Sequence, residues 1–237
     1  MLVKLVLTSA IKPSRNTPSL HHFDENSRLK ETLYCLKKWS KIIKRNGFDC
    51  HLVDNTLNEE ELKTKIPSSR FPNIRLLAAP PLTEAELIKG AGYGELNSLE
   101  FLINNLGQSQ DYFIIKSNAR YFVRNFQNLF GFVDEINKIY FHSNLRVDRA
   151  ETKFFMTSLK HLQDFISYAK KHIDIQSNIH IENLLAKYIH SHAYHESISL
   201  PIEPVIYGVS GHTGEKYKFL NEAWAHNTIN IFFRKFR

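Results

Sequence analysis

Two short apolar runs, LVKLVLTSAI at 2–11 and FDCHLVDNT at 48–56, stand on either side of the stretch SRLKETLYCLKKWSKII. That order narrows the fold more than any other feature. Each run has a strand's length and β-branched content, and each closes in small polar or acidic residues. Between them, Leu29, Leu33, Leu36, Trp39 and Ile43 recur at three- and four-residue steps, the spacing of an amphipathic helix. Ser27 reads as its N-cap and Gly47 as its stop. Strand, helix, strand is a βαβ unit, which requires parallel strands and a right-handed crossover. Ligands of such sheets sit at the carboxyl ends of the strands. Thr8, Ser9, Asp54 and Asn55 fall there.

Further along, EEELKTKI reads as a short helix and IRLLAA as a short strand before Pro80-Pro81. KGAGYGELNSLEFLI follows, with three glycines and Lys89 ahead of a helical face made by Leu96, Leu99, Ile103 and Leu106. DYFIIKSN reads as a central strand and KIYFHS as another; TKFFMTSLKHLQDFISYAKKH passes from strand to helix. HIENLLAKYIHSH is a helix, and PIEPVIYGVSG a late strand entering a glycine turn. There is no internal repeat, low-complexity block or linker. The expectation is a single α/β domain with a mostly parallel sheet flanked by helices, over 1–227, with a basic aromatic tail at 228–237.

At 237 residues and 43% hydrophobic content the chain can bury a full core. Lys plus Arg is 31 against 24 for Asp plus Glu, a net charge of +7, which favours anionic partners without choosing among them. Cys35 and Cys50 form neither a metal spacing nor a disulfide framework, so a reducing cytoplasm is expected. The opening MLVKLVLTSA is broken too early by Lys4 for a signal peptide, and no apolar run approaches the roughly 20 residues that span a bilayer.

Four stretches in this order resemble the GT-A glycosyltransferases, and among them small bacterial enzymes of capsule and lipopolysaccharide synthesis. VLTSAIKP with SRLKETLYCLKKW is similar to the first strand and helix, and HLVDNT to the second strand. KGAGYGE with YFIIKSNARYFVRN resembles that group's Lys-Gly-x-Gly-x-Gly-Glu and Lys-x-x-Gly-Arg-Tyr patterns, Ala119 standing in place of a glycine. HIENLLAKYI and GVSGHTG resemble its later segments. The likeness spans most of the chain; each motif is weak alone, and the ordered set carries it.

The resemblance implies transfer of a sugar, of the hexosyltransferase class, from a nucleotide-sugar donor to a surface glycan, cytoplasmic or peripheral on the inner membrane face. Thr8, Ser9 and Asp54 would hold the nucleoside; Lys89, Gly90, Gly94 and Glu95 would border the donor. GT-A enzymes usually hold a divalent metal with Asp-x-Asp. None occurs in this chain, and the corresponding place reads Lys116-Ser117-Asn118-Ala119-Arg120. No cofactor is therefore implied, and Lys116 and Arg120 are expected to neutralise the diphosphate as fixed cations. Glu182, near a helix start, is the expected general base of an inverting displacement, with Asp148 the next candidate. Arg149 and Thr152, with Arg146, would contact the acceptor or diphosphate.

Each site has a plainer reading. The glycines can form a turn before a helix; they match neither the Walker nor the Rossmann spacing. Asp54-Asn55 can be only a turn, and Glu182 a solvated acid at a helix N-terminus. Arg146 to Thr152 can be a charged surface hairpin. His212 sits in a glycine-flanked turn that can bring it to a phosphate, or it is an ordinary loop histidine. His190, His192 and His195 beside Glu196 offer nitrogen ligands for zinc, but with 12 histidines in the chain a chance cluster is the reading taken. Phe232, Phe233 and Phe236 among Arg234, Lys235 and Arg237 suit an anionic membrane surface or a docked helix. The rival function is a basic nucleotide- or RNA-binding module without chemistry, though no nucleic-acid motif is present. A further rival is an enzyme of the same lineage that has lost transfer.

Overall fold

The computed structural model describes residues 2–18, 20–106, 112–143, 148–211 and 214–217. His212, Arg146 and the tail at 228–237 lie outside them. In chain order the elements are β1 (Leu2–Ser9), α1 (Glu25–Asn46), β2 (Asp49–Asp54), α2 (Glu59–Lys65), β3 (Ile74–Ala78), α3 (Glu84–Leu87), α4 (Gly90–Leu106), β4 (Tyr112–Asn118), β5 (Phe122–Val123) and α5 (Phe126–Phe130). They continue with β6 (Ile139–Phe141), β7 (Phe154–Ser158), α6 (Leu159–His172), α7 (Ile181–His192), β8 (Ser197–Ser199) and β9 (Ile206–Tyr207).

Seven strands form one sheet in the order β3-β2-β1-β4-β7-β6-β8. β1 runs parallel to both β2 and β4, and β2 to β3. β7 is antiparallel to its neighbours β4 and β6, and β8 is parallel to β6. One reversed strand thus interrupts a mostly parallel sheet, as expected for the class. β5 and β9 form a separate two-stranded ribbon.

Alternation along β1 builds two cores. Leu5 and Leu7 face one side, packed with Trp39, Leu62 and Phe126 of α1, α2 and α5. Val6 faces the other, packed with Leu99, Leu162 and Leu185 of α4, α6 and α7. Because side chains of a strand alternate between faces, a sheet covered on both sides needs apolar residues at successive positions, and Leu5 to Leu7 of β1 and Phe113 to Ile115 of β4 supply them. Among the described residues no helix is long and apolar enough to cross a membrane.

α1 departs from the sequence expectation in two ways. Its N-cap is Asp24, whose carboxylate accepts from Ser27 N at 2.7 Å, so the helix starts a turn earlier than Ser27 suggests. Its buried face keeps Leu36, Trp39 and Ile43 of the expected stripe but takes Arg28, Thr32 and Cys35 in place of Leu29 and Leu33. The helix does end at Gly47, in the left-handed conformation at φ 67° that glycine adopts without strain.

His51, in β2, is 1% exposed. Burial holds its pKa down to about 4, against the opposing pull of Asp49. The unfolded chain therefore takes up a proton near pH 6.5 that the folded chain refuses until about pH 4. This contribution to stability is whole above pH 6.5 and is lost as pH falls through that window. Urea unfolding at pH 7 and pH 4.5 is expected to show His51→Gln losing about 2–3 kcal/mol less than the wild type over that interval. Equal losses would remove His51 as the titrating group.

Candidate functional site

The carboxyl ends of β1, β2 and β4 open into a cavity of about 370 Å³, a usual size for a small-molecule site. The loop after β1 walls one side with Ala10, Lys12, Pro13 and Ser14, and the start of α4 walls another with Gly90, Ala91 and Gly94. Glu182 of α7 also lines the cavity, as do Ser210, Gly211 and Tyr217. The β5–β9 ribbon carries that last segment over the sheet, and α1 anchors the ribbon: Trp39 Nε1 donates to Tyr121 O at 2.7 Å.

A hydrogen-bonded chain crosses the cavity floor from β1 to α7. Thr8 Oγ1 donates to Glu95 Oε1 at 3.0 Å, and Glu95 is ion-paired with Lys116. Lys116 Nζ also donates to Thr152 O at 2.5 Å, and Thr152 Oγ1 donates to Glu182 Oε1 at 3.2 Å. Lys116 is 1% exposed, so its charge needs these partners. Beside it, Arg120 pairs through Nη1 with Glu31 at 3.0 Å and with Val209 O at 3.2 Å. Lys153 pairs with Glu151 at 2.7 Å. Burial lowers the Lys153 pKa, but attraction and hydrogen bonding from Glu151 outweigh it and leave the net shift upward.

The glycine stretch is helix, not loop. α4 begins at Gly90, whose φ of 84° suits glycine. A Cβ at Gly94 would come within 2.8 Å of Asn55 Nδ2, which donates to Gly94 O at 2.9 Å. Small residues here bring the helix against β2, and that approach sets Glu95 beside Lys116.

Of the expected residues, Thr8, Ser9, Gly90, Gly94, Glu95, Lys116, Arg120, Thr152 and Glu182 line this one cavity. Four lie elsewhere. Asp54 is fully buried and accepts from Ile11 N, Thr56 N, Thr56 Oγ1 and Leu57 N, so it shapes the strand-end loops and has no face toward a base. Lys89 lies over the Tyr93 ring, 4.5 Å from its centroid, outside the cavity. Asp148 belongs to a separate groove along α7 with Asn183 and Lys187. Arg149 is exposed and lines neither. His190 and His192 sit at the solvent-facing end of α7, and His192 stacks on Tyr188 at 5.6 Å.

Sequence reasoning missed Arg28, Asn118 and Lys153, all of which line the cavity.

The residues at the end of β4 do not fit a divalent metal, which takes several oxygen ligands, carboxylates foremost. Lys116 and Arg120 flank the place, no carboxylate lies between them in the sequence, and Asn118 Oδ1 accepts from Arg120 N at 3.1 Å. Among the described residues no three His, Cys, Asp or Glu side chains gather as a metal-holding group.

No protein-family model matches this chain, and a search of curated proteins gives no match. Solved structures do share the fold. Residues 1–349 of TarS from S. aureus, in complex with UDP-GlcNAc, superpose with a TM-score of 0.51 at 10% identity, covering 98% of this chain and 67% of that one. The galactosyltransferase LgtC, in complex with donor and acceptor sugar analogues, gives 0.50 at 10% identity, covering 84% and 73%. The fold is therefore GT-A-like. At this identity the likeness is one of fold.

Proposed function

We propose that the chain is a glycosyltransferase that moves a sugar from a nucleotide-sugar donor to a glycan acceptor by direct displacement with inversion, without a divalent metal. The observation that carries the reading is the continuous chain of bonds from Thr8 through Glu95, Lys116 and Thr152 to Glu182, laid across the strand-end cavity. The donor's nucleoside lies against Thr8 and Ser9. Its diphosphate lies over the cationic middle, where fixed positive charge stabilises the leaving group. The acceptor hydroxyl meets Glu182, which takes its proton as the oxygen attacks the anomeric carbon and the nucleoside diphosphate departs. TarS and LgtC, which share the fold and were solved with a nucleotide sugar and with donor and acceptor sugar analogues, support a nucleotide-sugar donor. A capsule or lipopolysaccharide acceptor, and peripheral contact with an anionic membrane, rest on the sequence resemblance and the tail.

A thermal-shift panel tests the reading. Uridine, cytidine and guanosine diphosphates and their sugars are each added at high excess, with a short RNA as comparison. A ligand at 100 times its dissociation constant stabilises a fold by about 2.7 kcal/mol. One nucleotide class is expected to raise Tm while RNA does not, and sugar transfer with that donor is expected to persist in a chelator. A shift with RNA alone would favour the binding module; activity lost in chelator and restored by Mn²⁺ would end the metal-free mechanism.

A further inference from the structure

Five Lys or Arg side chains line the cavity: Lys12, Arg28, Lys116, Arg120 and Lys153. Four have a carboxylate partner. Lys116 pairs with Glu95, Arg120 with Glu31, Lys153 with Glu151, and Lys12 reaches Glu61 at 4.0 Å. Arg28 is the exception among the described residues. It is 3% exposed, yet its bonds go only to main-chain carbonyls: Nε donates to Ala10 O at 2.7 Å and Nη1 to His22 O at 2.9 Å. Nη2 has no partner among the described residues.

A buried cation without a counter-ion is costly, and a second buried cation beside it adds to the cost. Burial first, and the charge of Arg120 second, push the Arg28 pKa down to about 9, so it remains a cation at neutral pH. Glu31 bonds to Arg120 and to His22 Nε2 at 3.1 Å, and acts on Arg28 only through space. The fully buried Asp54 also acts on Arg28 through space, but no carboxylate among the described residues bonds to it, so the Arg28 guanidinium lines the cavity, on the side where the loop after β1 meets α1, without a direct ion pair.

We infer that Arg28 is the residue that grips the diphosphate of the bound nucleotide, with Arg120 beside it as the second cation. This rests on the nucleotide-sugar reading above and changes the division of labour within it. Lys116 and Arg120, the cations expected from sequence, are already neutralised by Glu95 and Glu31. Arg28 has no directly bonded carboxylate among the described residues and brings a planar fork suited to two phosphate oxygens. Its bonds to Ala10 and His22 hold the fork in place before the ligand arrives, so little side-chain freedom is lost on binding.

The alternative is that Arg28 only clamps the loop after β1. Titration calorimetry separates the two. The probes are inorganic pyrophosphate, whichever of UDP, CDP and GDP stabilises the wild type most, and the nucleoside of that diphosphate. Arg28→Gln is expected to weaken the diphosphate and pyrophosphate by about 10- to 100-fold, the range for a lost charge-assisted bond, and to leave the nucleoside within about twofold. Arg28→Lys keeps the charge without the fork and is expected to recover part of the loss; it decides the matter if Arg28→Gln is too unstable to titrate. Equal weakening of nucleoside and diphosphate, or a fall in Tm with affinities unchanged, would make Arg28 a clamp and overturn the inference while leaving the nucleotide reading intact. Pyrophosphate binding that depends on Arg28, in a protein that binds no nucleotide, would keep the anion site and overturn the nucleotide reading. A wild type that binds none of the probes would overturn both.

Discussion

Glu182→Gln is expected to cut turnover by about 10²–10⁴-fold, the usual share of general-base catalysis, while leaving donor affinity unchanged. The substitution keeps the side chain's length and still accepts the bond from Thr152 Oγ1, so the geometry at the start of α7 should survive. Only basicity is removed. Glu182 is linked to Thr8 only through Thr152, Lys116 and Glu95, so donor contacts through Thr8 and Ser9 are not disturbed directly. Asp148→Asn is the matched control. Asp148 sits in the groove on the outer side of α7, and its loss is expected to change turnover less than about twofold, as for surface sites away from function. The measurement is steady-state kcat at saturating donor, with donor Kd determined separately. Near-normal turnover in Glu182→Gln would transfer the role away from this residue, and a product of retained anomeric configuration would exclude direct displacement altogether.

The β1–α1–β2 opening was legible because its two periods are unmixed. A strand buried on both faces is continuously apolar, and a helix between sheet and solvent is not. The reversal of β7 was not legible, since FFMTS would look the same pointing either way. β8, with the half-exposed run SIS, and the two-residue β5 and β9 are too short to announce themselves. The glycine stretch was read as lying ahead of the helix, with a turn as its plainer form, because glycine disfavours helices; tight packing of Gly94 against Asn55 overrides that propensity. The bonds of Asp54 were hidden for a similar reason. Strand-end position places a carboxylate near the ligand edge, but the backbone amides of Ile11, Thr56 and Leu57 occupy it. Arg28 was hidden because a leucine stripe two positions wide fits α1 nearly as well as the face that is buried. In each case the missing information lay in which partners surround a residue, and neither periodicity nor motif spacing carries that.

Lys116→Met is expected to destabilise the fold by about 3–5 kcal/mol, the cost of breaking a buried ion pair by removing one partner. Lys116 is 1% exposed and lies on the central strand β4, bonded on one side to Glu95 and on the other to the carbonyl of Thr152. Methionine fills much the same volume, so packing is kept and the loss is chiefly electrostatic. Glu95 is left with Thr8 Oγ1 as its remaining hydrogen-bond donor, and the Thr152 carbonyl loses the lysine's bond. Adding Glu95→Gln removes the stranded charge, so the double variant is expected to regain about half or more of the lost stability. Urea midpoints of the wild type, both single variants and the double variant close the cycle. Additive losses, with no recovery in the double variant, would show that the pair does not act as a unit. Turnover gives a second reading of the same bonds. Thr152 joins Lys116 through its carbonyl and Glu182 through its hydroxyl, so loosening the lysine side should displace the base. The double variant can therefore regain stability without regaining activity. That separation is expected if Lys116 holds the floor of the cavity in register with Glu182, and simultaneous recovery of both would deny it that role.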